Sequence, residues 1–180
     1  AQAFVSLSRG QTIKDYIEAV TGRVASLARA HSLLSQSRWK GAALYDVVHG
    51  ELGASVSLRQ FDLHGPTISL AKTAVQPFSL VLHELATNAA KHGAASAKTG
   101  RVEVSWCVIK DELELTWVEI GEREVASPDR PGVGINLLRR TVENQLDGKL
   151  RLEWAPQGLT AQISIPSNRY AIGNGVGELR

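Results

Sequence analysis

With 180 residues, 43% of them apolar and 21% charged, the chain has the composition of a soluble globular domain large enough to bury a core. Lys and Arg number 20 against 18 Asp and Glu, a balance that gives no support to a nucleic-acid partner. No run approaches the roughly 18 apolar residues of a membrane span and no signal segment opens the chain, so a cytoplasmic setting is expected; one cysteine, Cys107, excludes an internal disulfide and a cysteine-only metal cluster. The chain opens on Ala1 and contains no methionine, as expected of a piece of a longer polypeptide.

Over 12–36, Ile13, Ile17, Val20, Val24, Leu27, Ala28, His31 and Leu34 recur at steps of three and four, which predicts a long amphipathic helix. Thr12 and Asp15 give it a capping signal, and 1–8 reads as the end of an earlier helix, the two forming a hairpin near Gly10. A hairpin with an uncovered apolar stripe often pairs with a second copy as a four-helix bundle, so a homodimer through these N-terminal helices is expected. His31 lies on the stripe and reads as a packed core or interface residue.

Beyond Trp39 the pattern predicts a helix over 44–52, a strand over 56–63 and a helix over 74–92. Strict alternation follows: Val102, Val104, Trp106 and Val108 against Glu103, Ser105 and Cys107, then Leu113, Leu115 and Trp117 against Glu112, Glu114 and Thr116, with a tight turn at Asp111. A Gly-, Pro- and charge-rich loop over 121–131 leads to a helix over 134–146 and strands over 149–154 and 159–165. Strands joined by short turns favour an antiparallel or mixed sheet with helices on one face, an α+β arrangement. The tail after Pro166 reads as loose, His49 and His64 as surface residues, and Trp39, Trp106 and Trp154 as packing residues.

Three stretches carry candidate chemistry. In the helix over 74–92, Phe78, Val81, Leu82, Leu85 and Ala89 form the buried stripe, and Glu84, Asn88 and Lys91 share an adjacent face at i, i+4 and i+7. A carboxylate, an amide oxygen and an ammonium suit a site for a metal-bound polyphosphate; a solvated helix flank is the plain alternative. Strand parity then puts Glu119 on the side of Leu113, Leu115 and Trp117, where an ionised carboxylate needs a donor from ligand, water or protein, unless the strand ends at Val118. Gly132 and Gly134 precede a helix, where amides can approach a phosphate, and an ordinary loop entering a helix has the same look.

Taken in order, these motifs resemble the ATP-binding domain of sensor histidine kinases of the HWE family, named for a histidine in its N box and a Trp-x-Glu motif. His83, Glu84, Asn88, Lys91, His92 and Gly93 match the N box, Trp117, Val118 and Glu119 the second motif, and Gly121, Gly132 and Gly134 the glycine boxes. Leu27 to His31 with Ser32, Leu33 and Leu34 looks like the second helix of the family's dimerisation hairpin, and the likeness covers about residues 1–166.

The resemblance implies a Bergerat-type ATP-binding α/β sandwich of the GHKL class preceded by a helical hairpin remnant. It divides the chain into partial dimerisation and phosphotransfer helices at 1–38, a catalytic domain at 39–166 and a flexible tail at 167–180. It implies ATP and Mg2+ as cofactors, with Asn88 as magnesium ligand, Glu84 as base or water-orienting group, Lys91 neutralising phosphate and His92 flanking the nucleotide. Glu119 would accept from the adenine amino group, Gly121 would leave room for the base, Gly132 and Gly134 would contact the phosphates, and 122–130 would form a short lid.

The implied reaction is transfer of the γ-phosphoryl group to a histidine upstream of Ala1, then to an aspartate of a response-regulator receiver domain, with a sensor module also upstream. Two positions depart from the family pattern: Glu122 replaces a second glycine, and Asn136 stands where an arginine is usual, a role open to Arg139 or Arg123. These departures favour an alternative, a degenerate relative that dimerises and relays phosphate without binding ATP. An ATPase or protein-serine kinase on the same fold is a further alternative, against which the dimerisation-like helix and the Trp117 to Glu119 motif speak.

Overall fold

The computed structural model describes residues 12–121 and 132–172. The proposed first hairpin helix and the proposed lid with Glu122 and Arg123 therefore lie outside the described residues. Helix α1 (Ile13–Gln36) starts at a capping box in which Thr12 Oγ1 accepts from the Asp15 amide at 3.2 Å and Asp15 Oδ2 accepts from the Thr12 amide at 3.0 Å. Helices α2 (Leu44–Gly53), α3 (Lys72–Lys91) and α4 (Val133–Gln145) fall where the apolar periodicity puts them.

Five strands form the main sheet: β2 (Phe61–His64), β4 (Arg101–Ile109), β5 (Glu112–Ile120), β6 (Lys149–Ala155) and β7 (Gly158–Pro166), in the order β2-β4-β5-β7-β6. Only β2 and β4 run parallel; the rest pair antiparallel. The β4–β5 turn puts Lys110 and Asp111 at φ of 50° and 63°, the left-handed geometry that a two-residue hairpin loop requires. Val102, Val104, Trp106, Leu113, Leu115, Trp117, Ala161, Ile163 and Ile165 point into the core with α2, α3 and α4, while Glu103, Ser105 and Cys107 face outward. The sheet is thus mixed, with its helices on one face, and α1 forms an outer layer on α3.

Three differences from the sequence reading have physical causes. The strand expected over 56–63 begins only at Phe61, because Val56 donates to the Leu52 carbonyl and Gln60 to the Ser57 carbonyl, holding 56–60 in turns. Two- and three-residue strands β1 (Ala42–Ala43), β3 (Ile68–Leu70) and β8 (Tyr170–Ile172) form a second small sheet. The first part of the tail is therefore in regular structure: β8 pairs with β3, and Arg169 reaches Thr73 and Asp147.

The third difference concerns α1. Its apolar stripe faces away from the body: Ile13, Ile17, Val24, Leu27 and His31 are exposed, His31 against the ring of Trp39, whereas Leu34 turns inward. The inward face carries Ser26 and Ala30, both fully buried, with Gly22, Arg23 and Arg29. This helix is held to the body by polar partners and small residues, which outweigh the period of its apolar side chains.

Candidate functional site

Helix α3 lies on the sheet by the stripe Phe78, Val81, Leu82, Leu85 and Ala89, all fully buried. The same orientation buries the neighbouring face, so Glu84 is no solvated flank residue: its side chain is 8% exposed. A charge so placed needs a partner. Arg23 of α1 supplies it, with Nε donating to Glu84 Oε1 at 2.7 Å and Nη2 to Oε2 at 3.2 Å, a two-pronged guanidinium–carboxylate pair.

On its other side Glu84 faces the start of α4. A β-carbon on Gly134 would fall 2.7 Å from Glu84 Oε2 and 3.8 Å from both side-chain amide atoms of Asn88. Three of the sequence-predicted residues thus meet at one point: Glu84, Asn88 and Gly134. Gly132 is the N-cap of α4, whose first-turn amides have no partner within the helix. Asn88 is half-buried, and its backbone carbonyl accepts from the amides of His92 and Gly93, which ends α3 at this place.

Lys91 and His92 are exposed, and Lys91 Nζ stands 3.8 Å from Glu18 Oε2 of α1. Arg139 lies on an exposed side of α4, 3.4 Å from Glu143. Asn136 is engaged within the protein.

Glu119 occupies the other end of the site. Strand β5 continues past Val118, with Glu119 paired to Val102, and its side chain is buried. Protein donors meet it: the Ala94 amide donates to Oε2 at 2.9 Å, and the Trp117 indole stands 3.4 Å from Oε1. Burial pushes the carboxyl above its ordinary value although both donors oppose this. Oε1, with only a long contact, keeps acceptor capacity.

Glycines shape the surroundings of this carboxylate. At Gly93 a β-carbon would overlap Glu119 Oε2. Gly158, at φ +151°, closes the β6–β7 turn where a β-carbon would meet the Glu119 backbone. Gly121 donates to the Gln157 carbonyl at 2.8 Å, and a β-carbon there would stand 3.2 Å from Ala94. Gly158 has no signal in the sequence beyond its place in a turn.

A polar cluster lies behind the site, around Glu51, to which the sequence motifs assign no role. Glu51, buried on α2, accepts from Ser26 Oγ at 3.0 Å and from Arg29 Nη2 at 2.5 Å. His83 Nδ1 lies 3.7 Å from Glu51 Oε2, and the other edge of the ring sits in a notch at Gly22, where a β-carbon would be 2.9 Å from Nε2. Burial alone would raise the Glu51 carboxyl, but His83, Arg29 and Ser26 hold it below its usual range. Glu51 falls in the apolar series Leu44, Val47, Val48, Leu52 of its own helix, and that misplaced carboxylate is the signal that could have found it.

Residues 1–67 match the model of the HWE histidine kinase family. A blue-light-activated histidine kinase of Rhizobium johnstonii is 35% identical over 167 residues, 92% of this chain and 48% of that protein. The chain is similar to the HWE histidine kinases over residues 1–67 and to a histidine kinase over most of its length. It spans about half the length of that relative, at 48%, and 31% of a Brucella ovis protein of the same description that is 30% identical over 150 residues. Among solved structures, the blue-light-activated histidine kinase of Erythrobacter litoralis superposes with a TM-score of 0.70 at 18% identity, covering 92% of this chain and 55% of that one. That likeness establishes the fold as the α/β sandwich of histidine kinase catalytic domains. Among the described residues no helix is long and apolar enough to cross a membrane.

Proposed function

We propose that this chain is the nucleotide-binding part of a protein-histidine kinase, holding Mg-ATP between the end of β5 and the meeting point of α3 and α4. The observation that carries this reading is the convergence of Glu84, Asn88 and Gly134, from two helices, on one half-buried point. Among the described residues no three acidic, His or Cys side chains gather as a metal cage. This fits magnesium, which is held through one or two protein ligands together with substrate phosphates.

Bound Mg-ATP would supply the transferable γ-phosphoryl group. Asn88 would offer its amide oxygen to the metal, the amides from Gly132 onward would face the phosphates, and Glu84 would orient the acceptor or take its proton. Glu119 Oε1 would accept from the adenine amino group while the Ala94 amide holds Oε2 and fixes the carboxylate in place. Lys91, exposed and beside Glu18, would act as a distant counter-charge, and His92 would border the nucleotide.

The remaining roles follow the same reading. The outward stripe of α1 would pair with a second copy, the acceptor histidine would lie outside these 180 residues, and a response-regulator receiver domain would take the phosphoryl group onward in the cytoplasm. Photo-crosslinking with an azido-ATP analogue tests the nucleotide claim. Saturable labelling that ATP competes away and EDTA weakens is expected. No labelling at millimolar analogue would instead favour a phosphotransfer scaffold that does not bind ATP.

A further inference from the structure

We propose that Arg23 is a positioning residue of the nucleotide site: it neutralises and orients the Glu84 carboxylate, so that helix α1 completes the phosphate end. The inference rests on the nucleotide reading above and goes beyond it, because it makes a residue of the N-terminal helix part of a site otherwise built from α3, β5 and α4.

Glu84 Oε2 lies at the mouth of α4, against Gly134, where the phosphates of a nucleotide would approach. An uncompensated carboxylate there would repel a polyphosphate, and it would do so strongly because the group is largely shielded from water. A cation must therefore stand beside it. Among the described residues that cation is Arg23, whose fork spans both oxygens of Glu84. Lys91 is turned toward Glu18 and Arg139 toward Glu143, each on an exposed surface.

The placement of Arg23 is specified by its neighbours. Gly22 fits against the His83 ring, Ser26 and Arg29 bind Glu51, and Ala30 and Leu34 pack inward, so α1 has one register on the body. Consecutive residues of α1, Gly22 and Arg23, thereby read consecutive residues of α3, His83 and Glu84. The helix is not docked by its apolar stripe, which would leave its rotation loosely defined; it is docked by charge pairs, whose geometry is directional. Movement of α1 would carry Arg23 with it and expose the carboxylate to the phosphates. By linkage, nucleotide binding and α1 docking would favour each other.

The test is a double-mutant cycle read by calorimetric titration of Mg-ATP, with adenosine binding followed by amide chemical shifts. Arg23→Ala is expected to weaken Mg-ATP on the order of tenfold and to leave adenosine unchanged. In the Glu84→Gln background, where no charge needs compensating, Arg23→Ala is expected to cost nothing further. Arg23→Lys should restore part of the loss, and Ser26→Ala, which loosens α1 but leaves the Arg23–Glu84 pair in place, should weaken Mg-ATP less than Arg23→Ala does. An Arg23→Ala chain that binds Mg-ATP as well as or better than the native chain would overturn the inference. So would an equal loss in the Glu84→Gln background, a loss of adenosine binding as well, or a Ser26→Ala chain as weak as Arg23→Ala. Failure of the native chain to bind Mg-ATP would overturn the nucleotide reading too, which separates the two failures.

Discussion

Gly93 and Glu119 meet across the end of α3 and the end of β5, so closely that a β-carbon on Gly93 would overlap Glu119 Oε2 and lie 2.8 Å from the Cα of Ala89. The chain leaving α3 is folded around the carboxylate, and the next residue, Ala94, donates its amide to it. Because backbone as well as side chain stands in the way, Gly93→Ala is expected to cost about 1–3 kcal/mol of stability, in the range of overpacked sites. Gly50→Ala is the opposite case. Nothing stands within 4 Å of a β-carbon there, within α2, and a gain of about 0.5–1 kcal/mol is expected. Urea denaturation of the two variants beside the native chain checks both signs.

Much of this arrangement is legible in the sequence, for a physical reason. The stripe of α3 and the alternation of β4 and β5 are long periodic signals backed by burial, so they fix which face each residue takes, and Glu119 takes the core side by parity because β5 runs past Val118. Arg23 has no such signal, since its partner Glu84 is 61 positions away and its own helix advertises the opposite, apolar face. Strands β1, β3 and β8 are too short to show a period. Residue type and resemblance single out Glu84, Asn88 and Gly134 as candidates, and only the fold brings them to one point.

The contact of Gly134 with Glu84 gives a second prediction. A methyl group at Gly134 would meet the far end of a flexible side chain, 2.7 Å from Oε2, so Glu84 can shift at small cost to the fold. Gly134→Ala is expected to leave the melting temperature nearly unchanged while weakening Mg-ATP severalfold, by filling the point where Glu84, Asn88 and the phosphates would meet. A large drop in melting temperature would contradict this reading of the site.

Glu51 governs a pH dependence. Its folded-state carboxyl is held below the ordinary value of 4.5 by its neighbours against the effect of burial. Its contribution is therefore present above about pH 4.5 and lost as pH falls through the lowered value. Glu51→Gln leaves Arg29 without its carboxylate and is expected to cost about 1–3 kcal/mol at neutral pH. The variant should also lose stability less steeply than the native chain on acidification. Denaturation curves from pH 7 downward, with parallel acid limbs, would disprove the assignment.

Glu119 titrates with the opposite sign. Burial raises its carboxyl above 4.5, so its contribution is full below that value and is lost as pH rises through the folded-state value. Glu119→Gln can keep the Ala94 hydrogen bond through its amide oxygen without carrying a charge. It is expected to be no less stable than the native chain at neutral pH, and its denaturation midpoint should vary less with pH above 4.5.

The outward stripe of α1 predicts association. Ile13, Ile17, Val24 and Leu27 are exposed by 80%, 56%, 60% and 42%, and they recur at steps of four, seven and three, the spacing of a helix-pairing seam. The double change Val24→Glu with Leu27→Glu is expected to convert a dimer to a monomer in sedimentation equilibrium and to leave the denaturation midpoint of the body nearly unchanged. A native chain that sediments as a monomer at all concentrations would count against this surface.

The most direct test of the account is calorimetric titration of Mg-ATP into the native chain, Asn88→Ala and Glu119→Gln, each with and without EDTA. The account predicts saturable, magnesium-dependent binding by the native chain. Asn88→Ala should lose the magnesium dependence, and Glu119→Gln should lose affinity whether or not the metal is present. Native binding that neither substitution alters would contradict the site assigned to α3 and β5.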